Sequence, residues 1–407
     1  MDPRGGQFLA SNRQEPLLPS SEISIAMAQS IWVLTDSEQG IHESEFETGN
    51  ESYAIRRSTL HGGVREGVDA IEVNNGKLRF TVVPTRGMGL WKARAAKIPF
   101  GWNSPVKGPV HPQFVPVSDP GGLGWLEGFD ELLCRCGLVS NGAPVIGPNG
   151  VLQYPLHGRI ANLPAHRVEV VTDDSSGELS VSGLVDETRF LFQRLQLKST
   201  YKTKVDSNLL TIVDEVTNLG GEPAESQLLY HINFGPPVLD AGATVLAPVK
   251  TIVPRDARAA EGIANWQSYP APQVGFTEQV YFFDLASDAE GKTRVLLKNA
   301  HGSAGVSLRY STKQLPCFTL WKNTPLEASG YVTGLEPGTN FPNPRPFEGE
   351  QGRVVKLAPG ASAKFELELE FLTDASSISA AEEKVAALRG DAKPQVFSTP
   401  QPGWTKV

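Results

Sequence analysis

Leu195-Gln196-Leu197-Lys198-Ser199-Thr200-Tyr201-Lys202-Thr203-Lys204-Val205 sets Leu195, Leu197, Ser199, Tyr201, Thr203 and Val205 in strict alternation with more polar residues. A repeat of two is the repeat of a strand with one buried and one wetted face. Asp206-Ser207-Asn208 turns the chain, and Leu209 to Val216 returns it as a second strand. The pattern recurs outward in both directions. Ala70 to Val73 and Lys77 to Val83 flank Asn74-Asn75-Gly76, the residue types a tight hairpin favours. Val168 to Val171 and Leu179 to Val185 flank Asp173-Asp174-Ser175-Ser176-Gly177. Near the end, Phe365, Leu367, Leu369 and Phe371 alternate with Lys364, Glu366, Glu368 and Glu370. With 31 Pro and 40 Gly punctuating such runs, the fold class is all-β, a large antiparallel sandwich with few short helices.

One helix is expected near the C-terminus. Ser379 and Glu382 read as a capping box, Ile378, Val385 and Leu388 mark one face, and Gly390 ends it. The expected organisation is a disordered leader over residues 1–28, a sandwich domain over 29–375, and a C-terminal helix and extended tail over 376–407. Met27 offers an alternative start. The leader lacks the apolar core of a signal peptide, and no run approaches the ~20 apolar residues of a membrane helix. The expectation is a cytoplasmic protein that touches no membrane. A net charge of -8 without a basic block argues against nucleic acid as a partner. Cys134 and Cys136 would share one face of a strand, where a disulfide is strained, so all three Cys are expected reduced.

Three stretches carry candidate chemistry. In Gly334-Leu335-Glu336-Pro337-Gly338-Thr339-Asn340-Phe341-Pro342-Asn343, rigid backbone holds one carboxylate in place, as a general base requires. In Leu228-Leu229-Tyr230-His231-Ile232-Asn233-Phe234-Gly235, His231 stands at the end of an apolar run. In Tyr154-Pro155-Leu156-His157-Gly158-Arg159, His157 sits between Pro and Gly turns. An imidazole and a carboxyl in one pocket supply acid and base near neutral pH. No His-x-His or His-x-x-x-His spacing suggests a metal site, and no Gly-x-Ser-x-Gly elbow suggests a serine hydrolase. Gly121 to Asp130 and Thr85 to Trp91 are Gly- and aromatic-rich, which suits a sugar whose C–H faces stack on rings.

The ordered set His157, His231 and Glu336 on an all-β chain resembles the aldose 1-epimerase (galactose mutarotase) superfamily, and within it the DUF4432 branch. The segments that carry the resemblance are Thr85 to Gly89, Trp125 to Leu133, Leu156 to Pro164, Leu229 to Gly235 and Gly334 to Asn340. The resemblance implies a β-supersandwich with a sugar pocket on one concave face and no cofactor. It implies His231 as general acid, Glu336 as general base and His157 as a substrate-binding imidazole. Arg135 is its positional candidate for a binding Arg, with Arg159 as rival. Arg86, Asn233, Trp125 and Trp321 are further substrate-binding candidates. The family's sugar-binding Asp stretch reads here Glu278-Gln279-Val280-Tyr281-Phe282, which makes Glu278 its substitute.

The implied reaction is interconversion of sugar anomers. A base takes the proton of the anomeric hydroxyl, an acid protonates the ring oxygen, the ring opens, and closure delivers the other anomer. The alternatives are a non-catalytic carbohydrate-binding protein, and an epimerase or lyase acting on an oxidised sugar in the same pocket. A glycosidase with two carboxylates ranks behind both. The partner is a small-molecule sugar; sequence leaves its identity and the oligomeric state open.

Overall fold

The computed structural model describes residues 29–391 and 393–406; the expected leader and Met27 lie outside them. Two large sheets pack face to face. One has ten strands, the other fourteen, among the described residues. The alternating stretch forms the strand Arg194–Lys204, paired antiparallel with Glu178–Thr188 on one side and Leu209–Asn218 on the other. Ser362–Leu372 continues this sheet beside Leu209–Asn218. The Asn74-Asn75-Gly76 turn joins Val68–Asn74 to Leu78–Val83 as expected, and Gly76 has the positive φ of 95° that the turn needs.

The inward residues meet in one core between the sheets. Leu195, Leu197, Tyr201, Leu210, Ile212, Leu367 and Leu369 from one sheet pack with Phe80, Leu90, Tyr230, Ile232 and Leu320 from the other. Each such large side chain removed from water contributes roughly 1.5–3 kcal/mol. The core also holds a charge. Arg135, on the strand Leu133–Leu138 of the fourteen-stranded sheet, pairs with Asp214 of the ten-stranded one. The same guanidinium donates to Ser199 Oγ at 2.8 Å, Tyr201 OH at 3.1 Å and Met88 O at 2.6 Å. Ser199 and Tyr201 are therefore the inward polar positions of the alternating strand because they satisfy a buried arginine.

The C-terminal helix is longer than expected. It spans Ala375–Arg389, and its N-cap is Asp374, whose carboxylate accepts from Ser377 N at 2.9 Å, rather than Ser379. Both residues are competent caps, and starting at Asp374 lets the helix bury Ile378 against Leu296 and Leu372. Gly390 closes the helix with φ 58°. Beyond it, Gln395–Val396 pairs in parallel with the edge strand Val249–Pro254, and the Trp404 ring stacks on Phe341 at 5.2 Å.

Candidate functional site

The site lies on the face of the fourteen-stranded sheet that turns away from the inter-sheet core. Alternation along each strand decides what reaches it. On Leu133–Leu138, Arg135 points into the core, so Cys134 and Cys136 face the site; His231 is the register partner of Cys134 on the neighbouring Ala224–Phe234. Asn233, two residues on, shares the face with His231. On Val332–Gly338, Glu336 is paired with Thr319 and Gly334 with Trp321 of Cys317–Asn323. A Cβ at Gly334 would overlap Glu336 Oε1 and come within 3.2 Å of the His231 ring, so a larger residue there forces the carboxylate to move.

Two segments from the loops roof this patch. The short 3-10 helix Gly124–Gly128 brings Trp125, and Phe129 follows it. The Trp125 ring lies 4.6 Å from His157 and 6.0 Å from His231; Phe129 stands edge-on to His231 at 5.0 Å. Trp321 closes another side at 5.3 Å from His231. His157 is held in the left-handed region, φ 57°, a conformation that costs a non-glycine residue about 1 kcal/mol. That geometry aims its ring at His231, edge to face at 5.4 Å. Its Nδ1–H donates to the Asn141 carbonyl at 2.9 Å, which leaves Nε2 facing the pocket as an acceptor.

His231 Nε2 and Glu336 Oε1 are 3.3 Å apart, both side chains almost fully enclosed. The two atoms are not aligned as a hydrogen bond, and Oε1 has no hydrogen-bond partner among the described residues. Thr319 Oγ1 and Trp125 Nε1, also buried, are without partners too. Buried polar atoms left unpaired are costly unless a ligand or water completes them. Burial, then the negative charge of Glu278, holds the Glu336 carboxyl well above the ordinary carboxylate range, while Arg255 acts the other way. Burial, then His157, pushes His231 well below the ordinary imidazole range. Burial lowers His157 to about 4, against the opposing Asn141 hydrogen bond and Glu278 charge.

The structure thus brings His157, His231, Glu336, Trp125 and Trp321 together, with Asn233 beside His231. Glu278 stands at the edge, where one carboxylate oxygen accepts from Trp321 Nε1 at 2.6 Å and the other from Arg255 Nη2 at 2.8 Å. Three expected arginines are elsewhere. Arg135 is spent in the core on Asp214, so it touches no ligand on this face. Arg86 is fully buried behind the roof, paired with Glu131 and donating to Asn162 Oδ1 at 2.6 Å and Gly128 O at 2.9 Å; it braces the roof. Arg159 is exposed, and the carboxylate its charge reaches is Glu187. The buried amide of Asn233 is consumed internally and offers no group to a sugar.

Sequence reasoning missed Arg255, Phe129 and Asn141. Arg255 follows an edge strand, with no motif around it, and reaches the site only through Glu278. Phe129 lay within a quoted aromatic stretch, yet nothing distinguished it from core. Among the described residues, no group of His, Cys, Asp or Glu is arranged to hold a metal ion, and no helix is long and apolar enough to cross a membrane.

A family described as "Domain of unknown function (DUF4432)" matches residues 65–371. A protein from Klebsiella pneumoniae subsp. pneumoniae MGH 78578, named as a candidate aldose 1-epimerase, is 38% identical with a TM-score of 0.88, over 91% of this chain and 99% of its own. More distant structures share the fold. A galactose mutarotase-like protein from Clostridium acetobutylicum is 16% identical with a TM-score of 0.54, over 80% of this chain and 100% of its own. A galactose 1-epimerase from Lactobacillus acidophilus NCFM is 13% identical with a TM-score of 0.51, over 77% and 97%. No curated protein matches. The chain belongs to the DUF4432 family and has the galactose mutarotase-like β-supersandwich fold.

Proposed function

We propose that this protein is an aldose 1-epimerase-type isomerase that binds a free sugar and exchanges its anomers by acid/base ring opening. The observation that carries the reading is the pair of unbonded atoms, His231 Nε2 and Glu336 Oε1, 3.3 Å apart under an aromatic roof. Mutarotation acts on two oxygens attached to one carbon, the anomeric hydroxyl and the ring oxygen. A catalyst for it needs one proton acceptor and one proton donor side by side, each free to meet a different oxygen. Trp125, Phe129 and Trp321 supply faces for the sugar's C–H groups and exclude water from the pair. His157 Nε2 is placed to accept from a further hydroxyl. Acid and base would each contribute roughly 10²–10⁴-fold over the spontaneous reaction.

The second reading is acid/base chemistry on an oxidised sugar. An acid and a base beside one carbon would serve it equally, with the Arg255 guanidinium, paired with Glu278 and Asp256, at the edge of the site. Exchange NMR over a panel of free and oxidised sugars, with wild type and Glu336→Gln side by side, tests both. Accelerated α/β exchange on one sugar, lost in the variant, supports the isomerase. Binding without exchange on every sugar overturns it.

A further inference from the structure

Beyond Glu336 the strand ends, and the run Thr339 to Asn343 belongs to no strand or helix. One flank of this run reaches His157. The side-chain amides of Asn340 and Asn141 face each other, each Nδ2 donating to the other's Oδ1 at 2.8 Å, with both residues fully buried. The Asn141 carbonyl takes the His157 Nδ1–H, and the Gly142 carbonyl takes the His157 backbone N–H at 2.9 Å. Ala143 N donates to Pro342 O at 3.2 Å. The approach is close: a Cβ at Gly142 would stand 1.9 Å from Asn343 O. His157 keeps a left-handed backbone, and such strain persists only where the surroundings over-determine it. Residues 141–143 supply that constraint, and they lean on Asn340 to Asn343.

The other flank is aromatic. Phe341 stacks on Phe282, with centroids 4.5 Å apart and planes at 20°, and on Trp404 at 5.2 Å and 26°. Phe282 is the register partner of Thr319, and Thr319 of Glu336, so the stack stands on the sheet face that carries the site. Trp321 and Trp404 pack against one cluster, Val280, Phe282, Cys317 and Phe341. Trp404 is itself tied down. Its carbonyl accepts from Asn343 Nδ2 at 2.9 Å, and the neighbouring Gly403 carbonyl accepts from Arg353 Nη1 at 2.8 Å. Among the described residues the Trp404 ring pairs with Phe341 alone. Removing the indole would expose one side of Phe341 to water and take away the outer support of the run 339–343.

Resting on the reading of this pocket as the sugar site, we propose that Trp404 is a positioning residue, which acts through Phe341 and the Asn340–Asn141 amide pair to hold the His157 ring at the sugar. The segment that carries it lies more than 60 residues beyond Glu336 in the chain and contributes no group to the pocket itself. Its effect therefore falls on how firmly His157 is aimed, and so on sugar binding more than on the proton transfers.

The test begins without any sugar. Proton–nitrogen NMR on the full chain follows two buried hydrogens. One is on His157 Nδ1, assigned by loss of signal in His157→Gln. The other is on Arg135 Nε, which donates to Asp214 in the inter-sheet core and is assigned by its loss in Arg135→Met with Asp214→Leu. In Trp404→Ala the His157 hydrogen should exchange with water faster while the Arg135 hydrogen is unchanged, and Trp404→Phe, which keeps a flat ring against Phe341, should restore it. A His157 hydrogen that does not respond overturns the proposal, and so does equal loosening of both hydrogens, which would mean a general loss of stability. Should Trp404→Ala fail to fold, Trp404→Leu takes its place, because it keeps apolar bulk without a flat face. Exchange NMR over a panel of free hexoses then reads the site. In Trp404→Ala, KM should rise roughly 10-fold with a smaller change in kcat, within the 10²-fold that a displacement of about 1 Å can cost. An unmoved KM also overturns the proposal. If wild type exchanges no sugar but the His157 hydrogen responds as stated, the isomerase reading falls and the role of Trp404 stands. If wild type exchanges a sugar and Trp404→Ala changes neither KM nor the His157 hydrogen, the isomerase reading stands and the role of Trp404 falls.

Discussion

Arg135 and Asp214 join the two sheets through a buried ion pair, with both side chains fully removed from solvent. One partner comes from the strand that also carries Cys134 to the site, so the pair fixes that strand against the opposite sheet. Removing one partner would leave an uncompensated buried charge, which costs about 3–5 kcal/mol. Urea unfolding of Asp214→Ala is expected to register a loss of that size. The double variant Arg135→Met with Asp214→Leu should recover most of it, because neither charge is then stranded. A small effect of Asp214→Ala on stability, with a large rise in sugar KM, would instead place Arg135 among the ligand contacts.

Glu336→Gln keeps the shape of the side chain and removes its proton chemistry. Exchange should fall roughly 10²–10⁴-fold with little change in melting temperature. Adding His231→Gln should cost much less than a second factor of that size, because residues acting as one unit are not additive. Gly334→Ala should also abolish exchange, since its methyl collides with the Glu336 carboxylate. Exchange spectroscopy with a melting curve on each variant checks the three together.

Glu278 and Arg255 tune the pair from its edge in opposite senses. Glu278 raises the Glu336 carboxyl and Arg255 lowers it. The limb of the pH–rate profile that Glu336 sets follows the titration of its carboxyl. Glu278→Gln should move that limb to lower pH, and Arg255→Leu should move it to higher pH. Rate profiles of both variants on the same sugar check the directions; shifts in the same direction would contradict this electrostatic account.

Glu187, buried beneath the exposed Arg159, has its carboxyl raised to about 7, by burial first, with the Leu138 N–H and Arg159 acting the other way. A carboxyl raised on folding contributes stability that is full below its unfolded value and is lost as pH rises through about 7. Glu187→Gln removes that titration while retaining an acceptor for the Leu138 N–H. The melting temperature of the variant relative to wild type is therefore expected to climb between pH 4.5 and 7 and then level off. A difference independent of pH would mean that Glu187 titrates normally.

Strand periodicity and turn chemistry are local properties, and they were legible. The run from Leu195 to Val205 alternates in burial as its residues alternate in polarity, with Val205 just past the strand end. Asn74-Asn75-Gly76 makes the hairpin its residue types favour. The helix start was misplaced from Asp374 to Ser379 because both are competent caps and only the docked helix chooses between them. The presence of Ser199 and Tyr201 on an inward face had no local reason at all. It came from Arg135, 64 and 66 residues away in the chain.

For the site, the chain order of His157, His231 and Glu336 and the two-residue step from His231 to Asn233 are legible in the sequence. By itself the sequence determined the all-β class and the strand faces, which follow from spacing along one chain, and named these candidate acid/base residues, which follow from motifs that resemble the aldose 1-epimerase superfamily. Only the tertiary structure decided that Arg135 and Arg86 are braces, that Arg255 reaches the site through Glu278, and that His231 Nδ1 is held by Asn233. Those facts depend on which groups meet across sheets and loops, and on how far water is excluded where they meet. Charge state in particular is set by burial and by hydrogen bonds from distant segments, so a residue's place in the chain names the group but not the proton it holds.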